Sequence, residues 1–250
     1  MSKVGFLGTG HIASHMARAV ARDGHEVLVS RRNEDVSAEL VASGLGIRVA
    51  ENHDLVAEAD TVFLCLRPAV WKDVCGALPW RDDLEVISVM AGVRMEELQK
   101  ICAPAEEISV TIPFASMERG NTPLPVLGDP AALTRFFGAK NPIQPEPDEE
   151  TFLKYYAACT LVVGAMGLLS AGSAWLADQT GQPDNYLGPL AAGFLTDLHK
   201  DGPVDLGQEA ARLASPNTLS LMMMDGLADT GVFGQIPEIL NEITQSMEAS

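Results

Sequence analysis

Three small residues near the N-terminus, Gly8, Gly10 and Ala13, have the spacing G-x-G-x-x-A. They lie between a short apolar run over residues 3–7 and an amphipathic stretch that predicts a helix over 14–23. In such a strand–turn–helix unit the first glycine permits a tight turn and the second lets the backbone approach a pyrophosphate. The alanine allows the helix to pack closely on the sheet. The pattern therefore predicts a dinucleotide site formed by the residues of the turn, Gly8, Thr9, Gly10, His11 and Ile12.

The end of the second predicted strand, residues 26–30, indicates which dinucleotide binds. NAD-binding chains usually have Asp or Glu there, to bind the ribose 2′-hydroxyl, whereas an arginine nearby accommodates a 2′-phosphate. This chain has Ser30, Arg31 and Arg32, one hydroxyl and two planar guanidinium groups. Two exposed arginines of a solvated loop are the alternative. In a chain with 17 basic and 34 acidic residues, the pair favours NADP as cofactor.

Composition limits the other functions. The 250 residues carry a formal net charge of −17, and no basic stripe appears, so nucleic acid and anionic membrane surfaces are not expected as partners. The four cysteines have no C-x-x-C spacing, which favours free thiols over disulfides and predicts no metal site. Because the first strand begins at Lys3, we expect no signal peptide and a cytoplasmic protein.

Strand and helix patterns alternate along the first 140 or so residues. The continuous apolar run 61–66 is typical of a parallel strand that is buried on both faces. Beyond Pro142, Pro145 and Pro147, which indicate a linker, strand patterns give way to helices. The sequence therefore predicts an α/β fold: a Rossmann domain with a doubly wound sheet over 1–146, then an all-helical domain over 147–250.

Residues 155–177 contain no charged side chain and are long enough to span a bilayer. Glycines and serines lower the hydrophobicity of this stretch, no basic cluster flanks it, and small residues suit close packing of helices. We interpret it as a buried helix surrounded by others at a subunit interface, and expect a homodimer.

The chain resembles the pyrroline-5-carboxylate reductases, within the wider group of NADP-dependent oxidoreductases that includes coenzyme F420-dependent NADP reductases. The motifs that carry the resemblance fall in the family's order: the glycine turn, Asn52, 63–68, 87–93, Ile112-Pro113 and Ser215-Pro216. The resemblance implies a Rossmann domain, a helical domain that dimerises, and an active site between them. It also implies that the ribose and nicotinamide half of the cofactor is bound by Asn52, Cys65, Leu66, Arg67, Pro68, Ala91 and Gly92.

Two segments depart from the family pattern. The family's Met-Pro-Asn is Ile112-Pro113-Phe114 here, and its Ser-Pro-Gly-Gly-Thr-Thr is 215–220, Ser-Pro-Asn-Thr-Leu-Ser. We expect the substrate to lie between these segments, against Pro113, Phe114 and Asn217. An aromatic ring at Phe114 and the loss of a hydroxyl at Leu219 favour a less polar imine or carbonyl compound over pyrroline-5-carboxylate itself.

Reduction also needs a proton donor, because the cofactor supplies the hydride. The candidates are Ser220, Thr218 and, less favoured, His199. Thr218 and Ser220 are equally suited to cap the next helix, and His199 to lie at a solvated helix end. Residues 155–177 contain no lysine, which argues against a β-hydroxyacid dehydrogenase. Reduction of coenzyme F420 and a non-catalytic NADPH-binding dimer remain as alternatives.

Overall fold

Eight strands form one sheet in the described part of the chain, residues 1–31, 33–183, 185–198 and 204–248 of this computed structural model. The strands are β1 (Lys3–Leu7), β2 (Glu26–Ser30), β3 (Arg48–Ala50), β4 (Thr61–Leu64), β5 (Glu85–Ser88), β6 (Ile108–Thr111), β7 (Leu124–Leu127) and β8 (Ile143–Pro145). Their order is β3-β2-β1-β4-β5-β6-β7-β8. All neighbours are parallel except β6 and β7. The predicted doubly wound Rossmann fold is confirmed.

The helices of this sheet domain are α1 (His11–Arg22), α2 (Glu34–Ala42), α3 (Asn52–Glu58), α4 (Trp71–Cys75), α5 (Met95–Ile101) and α6 (Ala131–Phe137). A one-turn 3-10 helix, Ala115–Glu118, follows β6 and is called the 3-10 turn below. The remaining helices are α7 (Glu149–Thr180), α8 (Leu187–Leu198), α9 (Leu206–Leu213), α10 (Leu219–Asp229) and α11 (Val232–Glu248). Strands are thus confined to the first part of the described chain.

An aromatic cluster lies at the centre of the sheet domain. Phe6 of β1 stacks on Phe63 of β4 with ring centroids 4.8 Å apart, and Phe136 and Phe137 of α6 meet Phe63 edge-on at 5.9 Å. The apolar run 61–64 is buried on both faces of the sheet, as its sequence predicts. This core fixes the carboxyl ends of β1 and β4 beside each other.

The proline-rich segment is a correction to the sequence analysis. Instead of a linker, its first half forms β8, which pairs in parallel with β7 at the edge of the sheet. Pro145 is tolerated because an edge strand leaves one row of backbone groups without a ladder partner. The prolines therefore end the sheet.

The chain divides into two compact units, the first ending at Tyr156 and the second beginning at Ala157. The predicted domain boundary, 146/147, lies ten residues before this point. The difference comprises the first turns of α7, whose Phe152 and Tyr156 are buried and meet edge-to-face at 5.4 Å. The N-terminal end of α7 is thus part of the first unit.

Helix α7 differs from the prediction in its exposure. Beyond Ala157 no described residue of the chain is buried, and Val163 is 67% exposed. Helix α7 is also long and apolar enough to cross a membrane, with a mean hydropathy of 1.6 over its most apolar window. Within a single chain it is therefore not the buried helix that the sequence indicated, because too few neighbouring side chains cover it.

Candidate functional site

The glycine turn joins β1 to α1 beside the carboxyl end of β4. Gly8 has a φ of +98°, and a Cβ built on it would lie 2.6 Å from the carbonyl oxygen of Cys65. Any side chain here would therefore suffer both backbone strain and a clash with the main chain. Gly8 is required by the fold itself.

Gly10 has a different reason to be glycine. Its φ of −110° is open to any residue, and a Cβ added to it would meet no protein atom within 4 Å. Gly10 is also the N-cap of α1, and neither a side-chain cap nor an acidic residue occupies the first turn of this helix. The N–H groups and positive dipole end of α1 thus face open space, an arrangement that suits an anion.

Two adjoining cavities open around this helix end. The larger, of about 430 Å³, is lined by Gly8, Thr9, Gly10, Asn33, Glu34, Cys65, Leu66, Arg67 and Val70. The smaller, of about 250 Å³, is lined by Gly10, His11, Ile12, Ala13, Cys65, Leu66, Val89 and Pro113. They share Gly10, Cys65 and Leu66, so we treat them as one groove. It lies at the carboxyl ends of parallel strands where strand order reverses, the usual ligand position in open α/β sheets.

The Ser30 side chain, which the sequence predicts to contact a phosphate, is hydrogen-bonded within the protein. Its side chain is buried, and its hydroxyl oxygen accepts a hydrogen bond from the Gly8 N–H at 2.9 Å. The Thr9 hydroxyl donates to the Ser30 carbonyl at 2.6 Å. Ser30 and Thr9 therefore hold the glycine turn against the end of β2 and leave the cofactor phosphate to other groups.

Arg31 is exposed at the end of β2, and its Nε lies 2.9 Å from Oε1 of Glu51. Arg32 lies outside the described residues. Sequence analysis missed Asn33 and Glu34, which line the larger cavity. Their position directly after the arginine pair could have identified them, because the loop between β2 and α2 is where such folds approach the ribose.

Arg67 and Cys65 line the groove as predicted. Arg67 lines the larger cavity together with Asn33 and Glu34. Burial raises the pKa of the Cys65 thiol, so that the thiol stays neutral and forms part of the wall. Several other predicted cofactor residues line neither cavity: Asn52 at the start of α3, Pro68, Ala91 and Gly92.

The predicted substrate residue Pro113 is buried and lines the smaller cavity together with His11. Phe114 follows it and is 40% exposed. These two residues directly precede the 3-10 turn, so this turn determines where they lie.

The predicted proton donors belong to the second unit. Thr218 is the N-cap of α10: its Oγ1 accepts from the Leu221 N–H at 3.2 Å and donates to the Ser215 carbonyl at 2.7 Å. The capping role is therefore realised for Thr218. Ser220 is exposed in the first turn of α10. Asn217 has a φ of +68°, a left-handed conformation that asparagine tolerates better than most residues. His199 lies outside the described residues.

Comparison with known proteins supplies independent information. Residues 3–92 match the family described as NADP oxidoreductase coenzyme F420-dependent. A curated pyrroline-5-carboxylate reductase from Glycine max is 33% identical over 104 residues, which cover 39% of this chain and only 38% of that protein.

Among solved structures, a 1-pyrroline-5-carboxylate reductase from Streptococcus pyogenes superimposes with a TM-score of 0.80 at 16% identity, covering 100% of this chain and 99% of that chain. The Plasmodium falciparum pyrroline carboxylate reductase with NADP bound gives 0.80 at 13% identity, covering 99% and 97%. A reductive aminase from Aspergillus terreus in complex with NADPH and ethyl-5-oxohexanoate gives 0.65 at 16% identity, covering 100% and 93%. The resemblance predicted from the motifs is thereby confirmed: the chain is similar to pyrroline-5-carboxylate reductases in sequence over part of its length and in fold over all of it.

Proposed function

We propose that the chain is an NADP-dependent oxidoreductase that reduces a small imine or carbonyl compound with NADPH. The observation that carries this proposal is Gly10, a glycine without a packing reason at the uncapped N-terminus of α1. The groove that it lines fits an anionic dinucleotide in position and in donor groups. Similar proteins of the same fold are described as reductases bound to NADP or NADPH.

Different residues of the groove have different roles in this proposal. The N–H groups at the start of α1 bind the pyrophosphate, Ser30 and Thr9 hold the turn that presents them, and Leu66 and Val89 form apolar walls. The bound cofactor supplies the hydride. Among the predicted donors that the structure describes, we favour Ser220 as the proton donor, because the Thr218 hydroxyl already donates within its cap.

The preference for NADP rests on two arginines, whose guanidinium groups suit a phosphate. Arg31 follows directly after β2, and Arg67 lines the larger cavity. Glu34 lines the same cavity, and its negative charge would repel a 2′-phosphate.

We therefore expect Arg31→Ala to weaken NADPH binding about tenfold or more while leaving NADH binding unchanged. Glu34→Gln should shift the same ratio the other way. Arg48→Ala is the matched control, because Arg48 is another exposed, ion-pairing arginine, on β3. Equal losses for both cofactors in a fluorescence titration would contradict the preference.

The substrate is proposed to be less polar than pyrroline-5-carboxylate. Pro113 and the half-exposed ring of Phe114 give this end of the groove an apolar surface. The experiment is a screen of cyclic imines and small carbonyl compounds, followed through NADPH absorbance, with pyrroline-5-carboxylate included. Efficient reduction of pyrroline-5-carboxylate would refute the substrate proposal and leave the cofactor proposal intact.

The same NADPH absorbance assay, with one further acceptor added, tests two alternatives. The name of the matching family favours a test with oxidised coenzyme F420 as hydride acceptor. The occupied hydroxyl of Thr218 favours a non-catalytic NADPH-binding protein. NADPH binding without oxidation by any acceptor would support that second alternative.

We also propose that the functional form is a homodimer. No described residue beyond Ala157 is buried, and an unpartnered helical unit without a core cannot be stable. Large apolar side chains are also exposed on shorter helices, including Phe194 on α8 and Met222 on α10. Their distribution over several helices favours a second copy of the chain over a bilayer, because a single spanning helix would be enough to enter a bilayer. Sedimentation of a folded monomer at micromolar concentration, or partitioning of the chain into vesicles, would contradict it.

A further inference from the structure

Glu118, the last residue of the 3-10 turn, lies among three cationic or ionisable side chains of α1. Its Oε2 is 2.5 Å from Nδ1 of His15, its Oε1 is 3.4 Å from Nε of Arg18, and it also pairs with Arg22. The Glu118 side chain is only 12% exposed. A carboxylate with so many donors is held far more firmly than an exposed surface ion pair.

The other side of the 3-10 turn is fixed by the core. Met117 is buried, and the side-chain amide of Asn141 donates to the Met117 carbonyl at 3.1 Å. The Met117 N–H in turn donates to the carbonyl of Phe114 at 3.0 Å. The position of Phe114, and of Pro113 before it, thus follows from the position of the turn.

Helix α1 contributes a second wall to the same cavity. His11, at its N-terminus, lines the smaller cavity together with Pro113. The rings of His11 and His15 meet edge-to-face with centroids 4.8 Å apart. Glu118 therefore connects the Pro113 wall to the helix that forms the second wall, one helical turn away from the groove.

We propose that Glu118 is a positioning residue that sets the distance between these two walls and so determines how substrate fits. It touches neither cofactor nor substrate. The inference rests on the proposed function, because the smaller cavity is taken as the substrate end of the groove. Its physical basis is charge: a glutamine keeps the size of the side chain but removes the compensation for His15, Arg18 and Arg22.

The chain offers a matched control for this substitution. Glu39 on α2 also faces Arg18, at 3.6 Å, but its side chain is 73% exposed and it lies on a different element from the 3-10 turn. Glu39→Gln makes the same chemical change near the same arginine without touching the anchor.

The first measurement is hydrogen exchange of the Met117, Arg119 and Gly120 amides, which are hydrogen-bonded within the turn. We expect Glu118→Gln to speed their exchange at least about tenfold, and Glu39→Gln to leave it at the wild-type rate. Unchanged exchange in Glu118→Gln would overturn the proposal. If that variant does not fold, His15→Leu, which removes this hydrogen-bonding group and keeps the carboxylate, takes its place with the same criteria.

The second measurement uses the substrate found by the imine and carbonyl screen. Glu118→Gln should raise the substrate KM on the order of tenfold with kcat within about twofold, and Glu118→Asp should restore part of it. Faster exchange with an unchanged KM would overturn the positioning role. A wild-type chain that turns over no acceptor would instead refute the proposed function, and the exchange comparison would then decide alone whether Glu118 anchors this wall.

Discussion

The two units of the chain use apolar side chains in opposite ways. Of 21 large apolar side chains that are exposed in the described residues, only Met1, Val41, Phe114 and Tyr155 belong to the first unit. The other 17 lie beyond Ala157. The first unit thus has a hydrophobic core of its own, whereas the apolar side chains of the second unit are largely exposed in the single chain. The difference fits the proposals that the cofactor is bound within the first unit and that a second copy of the chain covers the apolar side chains of the helical unit.

Two left-handed turns next to helices, one from each unit, are constrained differently. In the first, Gly8 has no room for a Cβ. In the second, Asn217 has a side chain and is exposed. The first turn is constrained by contacts with a neighbouring strand, while the second is constrained by its own backbone angles and the Thr218 cap.

The largest expected effect tests the difference in burial. Phe63→Ala should cost about 3–5 kcal/mol of unfolding free energy, because this ring is fully buried against three others. Val163→Ala, at a 67% exposed site of α7, should cost less than about 0.5 kcal/mol in the monomer. Urea unfolding at two protein concentrations checks both. The Val163 effect should grow with concentration and the Phe63 effect should not, and the reverse pattern would break the comparison.

The next effect separates the two glycines of the turn. Gly8→Ala should destabilise the first unit by about 2–4 kcal/mol, since it adds strain at positive φ to a main-chain clash. Gly10→Ala should leave thermal stability unchanged and lower NADPH affinity about tenfold or more, because its methyl group enters the space reserved for the pyrophosphate. Calorimetry and fluorescence titration provide the two readouts. A Gly10→Ala variant with full NADPH affinity would place the cofactor elsewhere.

A smaller effect is expected at Asn217. Asn217→Ala should cost about 1 kcal/mol, because a left-handed conformation is disfavoured for residues with a Cβ, whereas Asn217→Gly should be neutral or slightly stabilising. Thermal unfolding measures both. Equal effects of alanine and glycine would mean that the asparagine side chain itself is needed in this turn.

The sequence predicted those features that depend on neighbours close in the chain. The glycine turn, the buried strand around Phe63 and the cap at Thr218 all follow from local patterns. Ser30 could not be assigned in this way, because its partner is the N–H of Gly8, 22 residues earlier, and only the pairing of β1 with β2 brings them together.

Two elements differ from the expectation within the single chain, for a common reason. Pro145 indicates a break when judged locally, yet an edge strand accommodates it. The apolar residues of α7 indicate burial, yet beyond Ala157 no residue that the structure describes is buried within the single chain. Both outcomes depend on what lies beside the segment, which a linear pattern does not contain.

The smallest expected effect concerns acid stability of the first unit. Burial by itself would raise the pKa of the Glu118 carboxyl, but hydrogen bonds from His15 and Arg22 and the charges of Arg18 and Arg22 outweigh it. They hold the pKa below its ordinary value of 4.5. Because the folded chain favours the ionised form, this contribution to stability is complete above about pH 4.5 and is lost as the pH falls through the lower, folded-state pKa. The unfolding free energies of wild type and Glu118→Gln should therefore differ most near neutral pH and converge in acid, as denaturant titrations from pH 7 to pH 3 can measure. Glu39→Gln should run parallel to wild type over this range, since its exposed carboxylate is screened by solvent. A Glu118→Gln difference that stays constant with pH would mean that the side chain acts through its shape and not through its charge.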